Sequence, residues 1–81
     1  MKSFYRIIIT YSGFDEEKDT AIIRSVRKSP TQSMYDPVET RRSLDFTFRG
    51  EKAAKTARAR IVVLQRKLGG FSISKVIDDS F

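Results

Sequence analysis

The order of apolar and polar residues divides the chain into alternating strand-like and helix-like segments. Phe4-Tyr5-Arg6-Ile7-Ile8-Ile9-Thr10-Tyr11 is β-branched and aromatic almost throughout, and its shortness favours a strand over a helix. Tyr5, Ile7, Ile9 and Tyr11 fall on one face and Phe4 and Ile8 on the other, which predicts a strand central in its sheet. Ser12-Gly13-Phe14 breaks the pattern. Asp15 then suits a helix N-cap, and Glu16 and Glu17 suit the positive end of the helix dipole. The helix is predicted to run to about Lys28, with Ser29-Pro30 stopping it and Ile22 and Val26 facing inward.

Residues 31–40 carry the weakest pattern. A short edge strand from Gln32 to Tyr35, closed by a turn at Asp36-Pro37, is the favoured reading, with loop throughout as its alternative. From Arg42 to Arg49 the alternation is clean: Leu44, Phe46 and Phe48 share one face, and Ser43, Asp45, Thr47 and Arg49 the other. Gly50 ends that strand. Within Glu51 to Leu68, Ala54, Ala57, Ile61, Leu64 and Leu68 recur at helical spacing in one narrow stripe, and Gly69-Gly70 supplies the stop. Residues 71–77 read as a last strand and residues 78–81 as a short C-terminal tail.

The resulting order, β-α-(β)-β-α-β, fits an α+β two-layer sandwich of the ferredoxin-like kind. Two helices cover one face of an antiparallel sheet, and the first and third strands lie in its centre. Residues 1–81 form one domain on this reading, since so short a chain supports a single core. The expected core is Ile7, Ile9, Ile22, Val26, Leu44, Phe46, Phe48, Ala57, Ile61, Leu64, Leu68 and Ile73.

Composition narrows the chemistry. A hydrophobic content of 40%, with six Phe and three Tyr, is ample for a folded core. With neither cysteine nor histidine, thiolate catalysis and the usual zinc, iron and copper ligand sets drop out. No apolar run reaches the length of a membrane span, and Met1-Lys2-Ser3-Phe4-Tyr5-Arg6 is charged again before a signal-like stretch develops. The expectation is therefore a cytoplasmic protein without membrane contact.

Charge is the most informative bulk property. Residues 1–40 hold six bases and six acids, whereas residues 41–81 hold ten bases and four acids, so the whole net charge of +6 falls in the second half. Such a concentration points to a polyanionic partner, nucleic acid or an acidic protein surface. The helix at residues 51–68 carries most of it. Arg49, Lys52, Lys55, Arg60, Arg66 and Lys67 are the expected contacts, a stripe suited to phosphates, unless it is simply a solvated face. Ala59 and Val63 interrupt the stripe with apolar surface, which a protein interface would use as its centre.

Other constellations are weaker. RNA-recognition base stacking needs aromatics on the open sheet face, but Phe46 and Phe48 share a face with Leu44 and are expected in the core, leaving Phe4, Arg6 and Ile8 as the remaining surface. The acids Asp15, Glu16, Glu17 and Asp19 lack the spacing of a calcium loop and read as helix capping. No metal and no cofactor is expected. Ser12 and Ser33 have no histidine to activate them, and no phosphate-cradling glycine loop is present. Tyr35 with Arg41 and Arg42 is the one cluster that could serve histidine-free phosphate chemistry of the messenger-RNA interferase kind, whose expected element order does not match. No catalytic residue and no small-molecule substrate is therefore expected.

Two functions follow as expectations. The first is a small non-enzymatic module engaging nucleic acid or a ribonucleoprotein through the basic helix. The second is a small regulator or inhibitor, of the sort phages and mobile elements encode, that docks on a larger protein through the same helix.

Overall fold

The computed structural model describes residues 3–80 and contains the strands β1 (Phe4–Ser12), β2 (Gln32–Asp36), β3 (Arg41–Arg49), β4 (Ser72–Ile73) and β5 (Ile77–Asp78), and the helices α1 (Glu16–Val26) and α2 (Glu51–Leu68). The sheet order is β2-β3-β1-β4, with β5 also on β1, and every pairing is antiparallel. β1 and β3 are central, and the architecture is the ferredoxin-like α+β sandwich.

Register places the two sides of the sheet. Tyr5 lies opposite Phe48, Ile7 opposite Phe46, Ile9 opposite Leu44 and Tyr11 opposite Arg42, all on the side covered by the helices. Ile7, Ile9, Leu44 and Phe46 are wholly buried there against Ile22 of α1 and Ala54, Ala57 and Ile61 of α2. Asp15 caps α1 as its position implies: its Oδ1 accepts from the Glu17 and Lys18 amides at 2.9 and 3.3 Å. α1 stops at Val26, two residues short of Lys28, because Arg27 turns left-handed at φ 66° and its N–H closes on the Ile23 carbonyl.

The uncertain stretch forms the edge strand, one residue longer than the favoured reading. Asp36 Oδ1 accepts from the amides of Val38 and Glu39 and shapes the turn into β3. All five residues of β2 are exposed, which is why no alternation marks it in the sequence.

Several expectations require correction. Leu68 is not core: it is 56% exposed, since burial along the α2 stripe fades from Ala54, Ala57 and Ile61 to a partly buried Leu64 before the last turn overruns the sheet. Ile73 is only partly buried, and Tyr11 and Phe71 take buried positions beside the expected set. The last strand is broken in two. The Ser74 hydroxyl accepts from the Ile8 amide at 2.9 Å and donates to the Lys75 carbonyl at 2.8 Å, standing in for a ladder carbonyl while the chain bulges outward. The tail begins later than residue 78: Asp78 pairs with Tyr5, and the Asp79 amide donates to the Phe4 carbonyl at 2.8 Å; Phe81 lies outside the described residues.

Candidate functional site

The basic residues of α2 do not form one surface. A helix turns about 100° per residue, so relative to buried Ile61 the residues Lys52, Thr56, Ala59 and Val63 run along the outermost ridge. Arg66 borders the ridge on one side, as far from its centre line as Thr56 is on the other; Lys55 lies on the shoulder beyond Arg66, and Arg60 and Lys67 on the opposite shoulder. Lys52, Thr56, Ala59 and Val63 are all exposed, as are Lys55, Arg66 and Lys67. Lys55 is held by Glu51 one turn earlier, with Nζ 3.0 Å from Oε1, a weak exposed pair. Arg58 leaves the surface, because its Nε donates to the Ser74 carbonyl at 2.9 Å and ties α2 to the bulge after β4.

On the Arg60 shoulder the fold assembles a candidate site. The end of α1 lies beside the beginning of α2, and between them is an open groove made of three adjoining hollows that share lining residues. Its floor is Val26, Phe48, Ala53 and Ala57. One end reaches Phe4, Thr31 and Thr47, the other Ser25 and Val63. Its walls carry Arg24, Arg27 and Lys28 from α1 and the turn after it, Arg49 from the end of β3, and Lys52 and Arg60 from α2. Among the described residues that line it there is no aspartate or glutamate. The groove keeps its shape through short tethers. The Ser25 hydroxyl donates to the Arg60 carbonyl at 3.2 Å, and the Lys28 ammonium donates to the Thr47 carbonyl while resting 4.9 Å over the Phe48 ring. The Arg49 guanidinium sits 6.0 Å over the Phe4 ring. The positive end of the α2 dipole, with no side chain capping it, faces the same space.

Of the six expected contact residues, Arg49, Lys52 and Arg60 line this groove, whereas Lys55, Arg66 and Lys67 lie outside its lining. Arg24, Arg27 and Lys28 were not expected there. They belong to the half of the chain whose charges sum to zero, and a sum hides their arrangement. α1 carries its acids in the first turn and its bases at the end, and the helix crossing sets that basic end against α2.

The remaining candidates resolve as structural features. Asp19, one of the acids assigned to capping, is instead buried and accepts from Arg42 Nε at 3.0 Å and Nη2 at 2.7 Å. Tyr11 Oη donates to its other oxygen at 2.5 Å. Burial, reinforced by this bond to Asp19, holds the Tyr11 phenol above its ordinary pKa, and the hydrogen bond to Asp19 raises that of Arg42. The Arg42 guanidinium also lies 4.7 Å under the Phe14 ring, whose neighbour at 5.8 Å is Tyr35 in an edge-to-face contact. Arg42 is thus engaged by Asp19 and Phe14, Tyr35 lies opposite it across the strand pair and against the same Phe14 ring, and Arg41 stands 3.9 Å from Glu39.

On the uncovered sheet face, Arg6 is pinned between Asp45 at 2.8 Å and Asp79 at 3.6 Å. Phe46 and Phe48 face the helices and are buried. Among the described residues no group of carboxylates is arranged to hold a metal ion, and no helix is long and apolar enough to cross a membrane. No protein-family model, curated protein or solved structure matches the chain.

Proposed function

We propose that this protein is a non-enzymatic nucleic-acid-binding module that grips phosphates in the groove between the end of α1 and the outer side of α2. The observation that carries this reading is the groove's lining: Arg27, Lys28, Arg49, Lys52 and Arg60 border one hollow and Arg24 the adjoining one, with no acid among the described lining residues of either. A solvated basic helix needs no contribution from a second element. Here the turn after α1, the end of β3 and α2 contribute cations to the same hollow, which concentrates the field and favours counterion release on binding a polyanion.

Fluorescence anisotropy with generic duplex DNA and RNA at ~150 mM salt tests the reading, with dissociation constants expected at ~10⁻⁴–10⁻⁶ M. Arg60→Ala and Arg49→Ala each lower the slope of log affinity against log salt by about 1. Absence of binding to every nucleic acid at ~10⁻⁴ M rejects it.

A second reading rests on Val63, which is 50% exposed beside exposed Ala59 on the same helix. In that reading the protein is a regulator docking on a larger, acidic protein partner. A charge at Val63 then abolishes partner capture, while loss of a rim lysine chiefly slows association.

A further inference from the structure

We propose that the nucleic acid is duplex DNA and that α2 lies in its major groove, with the ridge Lys52, Thr56, Ala59 and Val63 facing the base edges. This rests on the phosphate-binding reading above and adds an orientation and a substrate class to it. The ridge is exposed from end to end, and Thr56, Ala59 and Val63 on it have short side chains that let the helix backbone approach a surface closely, with exposed Arg66 at its edge. A methyl-bearing Thr56, Ala59 and Val63 suit the apolar contacts that thymine methyl groups offer there.

Cations flank the ridge on both sides. Lys55 and Arg66 stand on one side, and Arg60 and Lys67 on the other, where Arg24 and Arg27 of α1 extend the basic wall. A helix with its side chains is ~10–12 Å across, which matches the ~12 Å width of the B-form major groove, so the two shoulders meet the two phosphate walls. From Lys52 to Lys67 the helix contains no acid, and the stretch is ~22 Å long at 1.5 Å per residue, sufficient to follow the groove for about six base pairs. The apolar break that a plain phosphate track leaves unexplained becomes the part that faces the bases.

Other nucleic acids fit less well. The major groove of duplex RNA is deep and too narrow for side chains to read. Single strands are gripped by stacking on exposed rings. The ridge carries no ring, Phe4 at one end of the groove is only partly exposed and lies under Arg49, and the well-exposed Phe14 and Tyr35 sit by the start of β3.

The test compares a 20-base-pair mixed-sequence DNA duplex, the matching RNA duplex and one DNA strand by anisotropy at ~150 mM salt. The DNA duplex is expected to bind at least tenfold more tightly than the other two. Ala59→Gln and Val63→Glu should each weaken it tenfold or more while melting within a few degrees of the parent, and Thr20→Glu, which adds the same charge on α1 off the ridge, should weaken it far less. Netropsin, a minor-groove ligand, should leave the complex intact, and methyl green, a major-groove ligand, should displace the protein.

Equal affinity for all three nucleic acids, displacement by netropsin, or an unaltered Val63→Glu complex beside a weakened Arg60→Ala complex overturns the major-groove proposal and leaves the phosphate groove standing. No binding to any of the three by the parent protein removes both.

Discussion

Arg42 in the third strand closes on Asp19 in the first helix through two hydrogen bonds to one carboxylate oxygen, Nε at 3.0 Å and Nη2 at 2.7 Å, with the two side chains only 13% and 11% exposed. The second oxygen takes the Tyr11 hydroxyl at 2.5 Å. The pair joins α1 to the middle of the sheet at the end where the chain leaves β1. Removing one partner strands the other. Asp19→Ala or Arg42→Ala should each cost about 3 kcal/mol, because the surviving charge stays desolvated. The double variant Asp19→Ala/Arg42→Ala should lose less than the two single losses added together. Urea denaturation of the four proteins measures the coupling, and strict additivity would mean that the pair contributes nothing as a pair.

The Tyr11 phenol gives the same network a pH signature. Its pKa is raised in the fold, chiefly by burial and then by its bond to Asp19. Above the unfolded value the folded state therefore retains a proton that the unfolded chain loses. Stability from this source is complete below about pH 10 and declines as pH rises through the folded value. Melting temperatures taken between pH 7 and 11 should fall at the alkaline end, and Tyr11→Phe should fall less steeply. Parallel curves for the two proteins would show that Tyr11 is not the linked group.

Position along α2 decides how much each member of its apolar stripe contributes. Ile61 is wholly buried, and truncation to alanine should cost ~2–5 kcal/mol. Leu68, identical in helical phase but 56% exposed, should change stability by no more than about 0.5 kcal/mol. Chemical denaturation of Ile61→Ala and Leu68→Ala separates the two, and a large loss at Leu68 would place the last turn of α2 against the sheet. Phe46→Ala, at the fully buried centre of β3, should cost ~3–5 kcal/mol.

Arg27 offers a variant in which stability and binding move in opposite directions. Its φ of 66° is a conformation that glycine adopts freely and arginine does not. Arg27→Gly should raise stability by up to about 1 kcal/mol, because the left-handed cap is the position glycine favours. The same variant loses a cation from the groove wall, so it should bind nucleic acid more weakly and with a salt slope smaller by about 1. Tighter or unchanged binding would take Arg27 out of the site.

Much of this molecule is determined locally and was therefore legible along the chain. Leu44, Phe46 and Phe48 alternate with polar neighbours because β3 has one dry face, and the stripe from Ala54 to Leu64 repeats at helical spacing because α2 lies on that face. Asp15 marks the start of α1 through a side-chain oxygen that accepts from the first-turn amides, and Gly50 marks the end of β3. β2 left almost no pattern because all of it is exposed and no face had to be apolar. The break in the last strand hinges on one Ser74 hydroxyl meeting the Ile8 amide, a partner 66 residues away.

The proposed binding surface belongs to the same long-range class. The basic residues of α2 were visible as composition, but their division into an outer ridge, two shoulders and a groove follows from which side of the helix the sheet covers. Arg24, Arg27 and Lys28 join Arg49, Lys52 and Arg60 only because the helix crossing sets the end of α1 against the start of α2. Asp19, read in the sequence as one more acid in a helix's first turn, becomes a buried anchor only where β3 brings Arg42 to it. Hydrophobic period and capping are encoded within a turn or two of chain. The direction in which a charged side chain is neutralised or left free depends on what lies across a contact, and chain closure alone supplies that partner.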